Sequence, residues 1–381
     1  MYSDFQNTLK INSQFLINGC KVTAYDGTTL FTPDGVANYA ALWTRDFSYM
    51  VEYAGDCITN DEIIRAVHYI LNRSRKDGWI PDRVYADGTA VYAAGITGHP
   101  IGEANLDTAL FLTFIIFSLY RRMEFSMFKP LFKKWFLLVD NAIDMIPVDP
   151  QTGLIYNDPQ KPHSPYGFTD VVCKTGVLFY ESLLYWRANR MLAEMLQVCK
   201  QTVPDKYAVR CNLIVQNIMI LFDHHKKLFR AASMDCNQID IWGNAYLLYI
   251  NFPVSQGIKE AILTTLIHTK NQYIYKGQIR SLFKNEYWDR LLIDIKPEEY
   301  QNGAYWATAS GWFIWCFAQQ DKELALQLFL EVYSFLTQEG SFECVKVNYR
   351  KLPEFVVSTT NVYGALKRLE SDKGFVLLCN H

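Results

Sequence analysis

The sequence lacks a long hydrophobic run and lacks a dominant charge of either sign. Its longest predominantly apolar stretch spans 11 residues, 109–119, well short of the roughly 20 that a membrane-spanning helix needs. The formal net charge of −2 provides neither a basic face for nucleic acid nor a polybasic signal for a membrane surface. We therefore expect neither nucleic acid nor a membrane among the partners of this protein.

The chain also has no Pro/Gly/Ser-rich linker and no long run of like charges. A length of 381 residues would allow two domains, but no shift in composition divides the sequence. Half of the residues are hydrophobic and 15% are aromatic, which is enough for a large core. The sequence predicts one domain over residues 1–381.

Metal-binding and disulfide patterns are missing as well. The nine cysteines are odd in number, scattered and without CxxC spacing, so we interpret them as mostly free thiols. The histidines form no ligand set, since His224 and His225 are adjacent and point to different faces. We expect no metal and no cofactor. Residues 1–5 do not resemble a signal peptide, which favours a cytoplasmic location and leaves the oligomeric state open.

Two kinds of helical periodicity alternate along the chain. Residues 109–119 are apolar on every side, as in a helix packed by protein all round. The next segment, 128–142, keeps its apolar residues at i, i+3 and i+4 and places Lys129, Lys133 and Asp140 on the other face. Such a pair predicts a buried inner helix followed by a half-exposed outer helix.

This pairing recurs and predicts an all-α fold of six helical hairpins. Short connections make neighbouring helices antiparallel, so the inner helices would run in one direction. We predict an (α/α)6 toroid with long loops and short β pieces at the mouth where the inner helices begin. The predicted inner helices are 40–55, 109–119, 171–190, 239–250, 302–319 and 357–370, and the outer ones are 60–75, 128–142, 205–222, 255–268, 321–338 and 3–16.

Each inner segment begins with a cluster of carboxylates, amides or hydroxyls, and the predicted toroid would gather all six clusters at one mouth. The alternative is that an acidic residue in such a cluster merely caps its helix, since Asp is a favoured N-cap. The clusters are W-T-R-D (43–46), E-A-N-L-D (103–107), F-T-D (168–170), Q-I-D-I-W (238–242), Y-Q-N-G (300–303) and V-S-T-T-N (357–361).

Two of these motifs resemble motifs of the six-hairpin glycosidases. The sequence A-L-W-T-R-D (41–46), preceded by D-G-T-T-L (26–30), resembles the W-x-R-D element of bacterial inverting exo-α-1,6-mannosidases. The sequence E-A-N-L-D-T-A-L (103–110) resembles the E-L-D-S-L element of those enzymes and the V-D-S-G-L element of neutral/alkaline invertases. The resemblance implies that Asp107 is the general acid.

Two later motifs extend the resemblance to residue 343. G-S-F-E (340–343) is similar to the late H-E loop of the mannosidases, which implies that Glu343 is the general base. Y-Q-N-G-A-Y-W (300–306) is similar to the Y-H-N-G-G-x-W-P element of the invertases. Here Ala307 replaces the proline and Phe342 replaces the histidine, so the sugar specificity of neither family transfers.

The chemistry of inversion requires one protonated carboxyl and one carboxylate that activates water, about 6.5–9.5 Å apart. We predict Asp107 as the acid and Glu343 as the base. If residues 103–107 are helical, Glu103 shares a face with Asp107 and is the competing acid. Glu339 is the local alternative to Glu343. Asp107 could instead be only the cap of its helix.

The remaining polar clusters are predicted to bind substrate. A carboxylate beside an aromatic ring suits a sugar, which has hydroxyls on its rim and an apolar C–H face. A salt bridge or a helix cap beside a core aromatic has the same sequence pattern. The predicted substrate-binding residues are Trp43, Arg45, Asp46, Trp79, Arg83, Glu103, Asp170, Asp240, Trp242, Asn302 and Trp306, with Trp79 and Arg83 in a long loop that continues to His99 and Pro100.

Three functional classes fit these observations. The leading hypothesis is an exo-acting inverting glycoside hydrolase whose partner is a carbohydrate substrate. An inverting phosphorylase would need several Arg or Lys side chains at the mouth and would not need Glu343. A sugar epimerase fits less well than these two enzymes, because it would rest on histidine pairs and only His99 and His163 lie in predicted mouth-side loops. The third class is a carbohydrate-binding relative without activity.

Overall fold

The computed structural model describes residues 1–96 and 99–380, without the side chains of residues 96 and 99–101. Helices make up 52% of the chain, against about a third in an average globular protein. The helices in the described part are α1 (Tyr2–Gly19), α2 (Thr44–Ala54), α3 (Asn60–Leu71), α4 (Thr108–Arg122), α5 (Phe125–Asp144), α6 (Phe179–Val198), α7 (Asp205–Asn217), α8 (Ile241–Tyr249), α9 (Gln256–Thr269), α10 (Ser310–Ala318), α11 (Lys322–Gln338), α12 (Val356–Leu369) and α13 (Lys373–Asn380).

The strands are short and pair antiparallel. They are β1 (Lys21–Thr23), β2 (Thr29–Phe31), β3 (Ala41–Trp43), β4 (Arg83–Tyr85), β5 (Ala90–Val91), β6 (Ala94–Ile96), β7 (His99–Ile101), β8 (Tyr156–Asn157), β9 (Gly176–Val177), β10 (Phe222–Asp223), β11 (Leu228–Phe229), β12 (Ile274–Tyr275), β13 (Gln278–Arg280), β14 (Tyr305–Trp306), β15 (Phe342–Lys346) and β16 (Tyr349–Pro353). The largest sheet runs in the order β12-β13-β14-β15-β16.

Six helices close into a ring, which gives the molecule the form of a helical toroid. Going round the ring, α2 contacts α4, α4 contacts α6, α6 contacts α8, α8 contacts α10, α10 contacts α12, and α12 contacts α2. The other helices pack outside: α1 against α12, α3 and α5 against α4, α7 against α6, α9 against α8, and α11 against α10. Ring helices are buried on nearly all sides, as α4 illustrates, because its residues from Thr108 to Ile116 are all buried.

The predicted all-α fold is confirmed at the level of a helical toroid, but three ring helices begin later than predicted. α2 begins at Thr44 instead of residue 40. α6 begins at Phe179 instead of residue 171, and α10 begins at Ser310 instead of residue 302. The residues in between form β3, β9 and β14, and a 3-10 turn at Ala307–Ala309, because the strand residues pair with neighbouring strands at the mouth. The first helix, α1, is regular in spite of its polar sequence, since Leu9, Ser13 and Leu16 bury one face.

The buried apolar side chains form one main cluster that extends from Tyr2 to Cys379. Its centre is aromatic: Tyr49 packs against Phe111, Phe168 and Trp312 inside the ring. Within the described residues, no helix is both long and apolar enough to cross a membrane.

Candidate active site

A narrow cavity lies at the end of the ring where the inner helices begin. It has a volume of about 40 Å³, room for only a few water molecules, given that one water needs roughly 10–15 Å³. The walls are Pro33, Tyr39, Trp43, Arg45, Asp46, Gly167, Phe168, Asp170, Tyr300, Glu343 and Phe355.

Glu343 reaches this cavity from strand β15, which is fastened to the first turn of α12. Ser358 Oγ donates to the carbonyl of Phe342 at 2.7 Å, and Ser341 Oγ donates to the carbonyl of Phe355 at 2.5 Å. The Glu343 side chain is 3% exposed. These contacts explain the hydroxyl-rich start of α12: its serine anchors the strand that carries the carboxylate.

Both carboxylate oxygens of Glu343 have a donor. Tyr39 Oη donates to Oε1 at 2.8 Å, and Lys351 Nζ donates to Oε2. Burial raises the pKa of Glu343, and the ammonium group of Lys351 followed by the hydroxyl of Tyr39 opposes that rise. The backbone of Tyr39 is fixed by Asp34. The Asp34 carboxylate accepts hydrogen bonds from three backbone amides, including that of Tyr39 at 2.9 Å.

Asp170 enters the cavity at the end of a 3-10 turn, Gly167–Thr169, that precedes β9. Gln301 fixes the carboxyl by donating from Nε2 to Oδ1 at 2.7 Å, while its own Oε1 accepts from the amide of Val171 at 3.0 Å. Burial, partly offset by the charge of Arg45, raises the pKa of Asp170 to about 7. This carboxyl therefore keeps its proton to higher pH than an exposed aspartate does.

Asp46 is the third carboxyl of the cavity and lies in the first turn of α2. Desolvation is the largest cause that raises its pKa to about 8, Arg45 opposes it, and the charge of Glu343 adds to the rise. Its environment therefore favours the protonated form of Asp46 more than that of an exposed aspartate. The cavity contains three carboxyl groups in different environments, and such a split is how proteins separate an acid from a base.

Asp107 does not line this cavity, contrary to the prediction that it faces Glu343 across one pocket. Its Oδ2 accepts from Arg45 Nε at 2.7 Å and from the amide of Gly167 at 2.9 Å, and its Oδ1 accepts from Arg45 Nη2 at 3.2 Å. Arg45 also bonds to Asp82 at 3.0 Å. Burial raises the pKa of Asp107 and Arg45 opposes the rise, so the carboxylate serves a buried ion pair.

Gly167 is required where it stands because the guanidinium of Arg45 packs directly on its backbone. A Cβ atom there would lie 1.6 Å from Arg45 Cζ. The glycine therefore permits the Arg45–Asp107 pair and the turn that leads to Asp170 to occupy the same space.

We expect Asp107→Ala to destabilise the fold by about 3–5 kcal/mol, the usual result of removing one member of a buried ion pair. Urea unfolding followed by circular dichroism measures the change. The matched control is Glu103→Ala, an exposed carboxylate in the same loop, which should cost less than about 1 kcal/mol. If Asp107→Ala were as stable as wild type yet inactive, Asp107 would be catalytic after all.

Glu103, the competing acid, lies on the outside. Its side chain is 45% exposed and pairs with Lys161 and Arg75, and Lys161 lowers its pKa. Residues 103–107 are not helical, since α4 begins at Thr108, so the shared face expected for Glu103 and Asp107 does not exist. Glu339 is also unsuited to be the base, because it is an exposed residue that pairs with Lys276 and Arg350.

Four predicted substrate-binding residues contact other parts of the fold and do not line the cavity. Asn302 accepts from the amide of Trp288 at 3.0 Å, and Asp240 caps α8 by accepting from the amide of Gly243 at 2.8 Å. Burial raises the pKa of Asp240 to about 6. Trp242 and Trp306 are buried and pack against each other with ring centroids 6.0 Å apart. None of the four lines the described cavity.

The two residues of the long loop are also buried away from the cavity. Trp79 packs against His163 at 5.4 Å between ring centroids. Arg83 bonds to Asp82 at 2.9 Å and lies over the ring of Trp43 at 4.6 Å. Arg83 therefore supports a wall residue instead of forming the wall. The side chains of His99 and Pro100 lie outside the described residues.

The structure places Trp43, Arg45, Asp46, Asp170 and Glu343 around one cavity, and it adds residues that sequence reasoning missed. Tyr300 and Gln301 belong to the Y-Q-N-G motif (300–303), in which the sequence predicts only Asn302 as a substrate-binding residue. Tyr39 and Lys351 have no local signal, because their role depends on contact with Glu343 across distant segments.

Larger open grooves lie elsewhere, on the outer helices. One of about 950 Å³ runs along α11, and another of about 850 Å³ lies between α6 and α7. Neither contains a buried carboxylate, so the small cavity is the better candidate for catalysis. Across the described part of the chain, no group of three or more His, Cys, Asp or Glu side chains is arranged to bind a metal ion.

The fold is shared with solved glycoside hydrolases. The GH63 mannosylglycerate hydrolase from Thermus thermophilus, in complex with Tris and D-glycerate, matches 93% of this chain and 99% of its own with 13% identity and a TM-score of 0.69. A metal-independent α-mannosidase from Streptococcus pneumoniae, in a non-productive complex with α-1,6-mannobiose, matches 96% and 94% with 10% identity and a TM-score of 0.66.

A rhamnosidase from Klebsiella oxytoca with rhamnose bound also matches, over 96% of this chain and 64% of its own, with 9% identity and a TM-score of 0.65. No protein-family model and no curated protein sequence matches the chain. The solved structures have the six-hairpin glycosidase fold, and this chain has the same fold. At such low identities the similarity shows the fold alone.

Proposed function

We propose that this protein is an exo-acting, inverting glycoside hydrolase formed by a single (α/α)6 domain, residues 1–381. The observation that carries the proposal is the buried cavity at the mouth of the ring, where Asp46, Asp170 and Glu343 meet in distinct electrostatic environments. Inverting hydrolysis needs one carboxyl that gives a proton and one that takes it. The fold shared with known glycoside hydrolases supports the same reaction class.

Asp170 is the proposed general acid and Glu343 the proposed general base. An acid with a pKa of about 7 can hold its proton at neutral pH and release it to the leaving oxygen. Glu343 has a cation and a hydroxyl that favour its ionised form, so it can accept a proton from the attacking water. The product sugar would then carry the inverted anomeric configuration.

We propose Asp170 as the general acid in place of Asp107 for a geometric reason. Both oxygens of Asp107 accept hydrogen bonds within the fold, whereas Asp170 lines the cavity. Asp46 is the competing acid, because it lines the same cavity and burial raises its pKa as well. We propose that the Asp46 carboxyl hydrogen-bonds to a hydroxyl group of the sugar.

The cavity walls suit the terminal unit of a glycoside or oligosaccharide. Trp43, Phe168 and Tyr300 offer rings for the apolar face of a sugar, and the carboxyl groups can bond to its hydroxyls. The small volume of the cavity favours a chain end over the middle of a long oligosaccharide. The structural relatives bind mannobiose, rhamnose or glycerate, and the sugar for this chain is to be found by experiment.

The alternative of a phosphorylase on the same fold has less support. Among the described residues, the cation that lines the cavity is Arg45, and it is paired with Asp107 and Asp82. Lys351 is paired with Glu343. A phosphate group would have to break one of these pairs. An epimerase is also disfavoured, since His163 stacks on Trp79 and bonds to the carbonyl of Ala104, away from the cavity.

Screening aryl glycosides and disaccharides with a proton NMR readout of the first anomer released tests the proposal. We expect release of a terminal sugar with inverted configuration and a rate independent of added phosphate. A retained configuration would require a nucleophilic carboxylate about 5–5.5 Å from the acid. Strict dependence on phosphate with a sugar 1-phosphate product would establish the phosphorylase instead.

A further inference from the structure

Lys351, which pairs with the proposed base Glu343, also contacts two tyrosines that are distant from it in the sequence. Lys351 lies on β16, one strand beyond Glu343 in the sheet. Its Nζ donates to Glu343 Oε2 and to Tyr39 Oη at 3.1 Å, and it lies 3.8 Å above the centre of the Tyr300 ring. The ammonium group is therefore held from three sides, and the side chain remains 30% exposed.

The backbone around this lysine adopts conformations that non-glycine residues rarely take. Leu352 has a φ of 48°, and Tyr300, whose ring lies under the ammonium group, has a φ of 44°. Left-handed backbone at such residues is uncommon, and it persists where the surrounding structure imposes it, often at functional sites. Two separate segments, the residue after Lys351 and the residue whose ring contacts its ammonium group, are thus held in uncommon backbone conformations.

Resting on the proposed function, we infer that Lys351 is a positioning residue for catalysis: it holds the Glu343 carboxylate ionised and fixed in orientation for the attacking water. Lys351 is not among the residues that line the cavity, so it stands behind the base and acts through it. The stack on Tyr300 and the bond to Tyr39 keep the ammonium group in place while Glu343 takes up and releases a proton.

The sign of the effect on pH dependence follows from the groups around Glu343. Without the cation, burial and the neighbouring acids would raise the pKa of Glu343 further. The base would then be protonated, and inactive, at higher pH. The titratable groups that face or influence Glu343 are Lys351 and Tyr349 on β16, Cys344 on β15, Asp34 and Tyr39 in the segment before β3, Asp46 on α2, and Tyr300 before β14.

The test compares kcat/KM and kcat against pH for wild type, Lys351→Met and Lys351→Arg. We expect Lys351→Met to move the acid limb upward by about 1–3 pH units, the size of shift that a nearby opposite charge produces, with KM nearly unchanged. Lys351→Arg should restore most of the wild-type profile. Lys346→Met, the same change in the same hairpin at a residue that contacts Tyr349, should leave it unaltered.

Two outcomes overturn the inference. If folded Lys351→Met keeps the wild-type acid limb, the lysine does not hold the base ionised. If the variant raises KM at every pH without moving the limb, Lys351 binds substrate instead.

A second measurement does not depend on activity. In protein labelled with carboxyl-¹³C glutamate, the signal lost in Glu343→Gln identifies Glu343, and its titration midpoint should rise in Lys351→Met. An unchanged midpoint overturns the inference even if no glycoside is cleaved. Absence of turnover on all glycosides, combined with the expected rise, would reject the proposed hydrolase and retain the role of Lys351.

Discussion

Glu343→Gln is expected to lower kcat by about a hundred- to ten-thousandfold for every substrate, the usual range for loss of a general base. The loss should not depend on the leaving group, because good and poor leaving groups wait for the same activated water. Stopped assays on an aryl glycoside and on a disaccharide measure it. Added azide should restore turnover in part by replacing the missing nucleophile, and give a glycosyl azide of inverted configuration.

The matched control is Glu339→Gln, which changes a carboxylate four residues earlier. Glu339 is exposed and pairs with Lys276 and Arg350 outside the cavity, so its replacement should leave kcat within twofold or so of wild type. Near-normal turnover by Glu343→Gln, in a folded protein, would remove Glu343 from the mechanism and favour a reaction that needs no general base.

Asp170→Asn should show a large effect that depends on the leaving group. For a disaccharide or an alkyl glycoside, which needs protonation to depart, we expect kcat/KM to fall by about a hundred- to ten-thousandfold. An activated aryl glycoside, which needs little protonation, should keep much of its rate. The comparison of the two substrates in one variant therefore reports on proton donation and not on folding.

The pH profile gives the second readout for Asp170. A general acid must be protonated, so wild-type activity on poor leaving groups should fall as the pH rises through the pKa of about 7. That alkaline limb should disappear in Asp170→Asn with the activated substrate. If Asp46→Asn shows the selective pattern and Asp170→Asn does not, the two cavity carboxyls exchange roles.

Proximity to a predicted inner helix is enough to place some residues at the mouth of the ring, but it does not decide which of them line the cavity. Asp46 and Glu343 were placed at the mouth because their segments adjoin predicted inner helices, and both line the cavity. Asp107 was placed there by the same argument and also lies at the start of its helix. Its partner, Arg45, is on another helix 62 residues away in sequence, and that long-range pairing turns the carboxylate away from the cavity.

The sequence alone determined the alternation of buried and half-exposed helices and the end of the ring at which polar residues collect. Periodicity suffices for this because each helix must bury its own apolar positions, whatever its neighbours are. Periodicity does not predict the late starts of α6 and α10, because the residues before these helices pair with strands distant from them in the sequence. β9 pairs with β8, and β14 pairs with β13.

Only the tertiary structure decided which carboxyl faces the cavity. Asp107 and Asp170 are both aspartates near the beginning of an inner segment, but one accepts hydrogen bonds from Arg45 and the other faces the cavity. In the same way, Lys351 became part of the site through the pairing of β15 with β16 and its contact with Tyr300. Ion pairing, desolvation and cross-strand contact depend on residues distant in the chain, so the state of each acid is a property of the folded molecule.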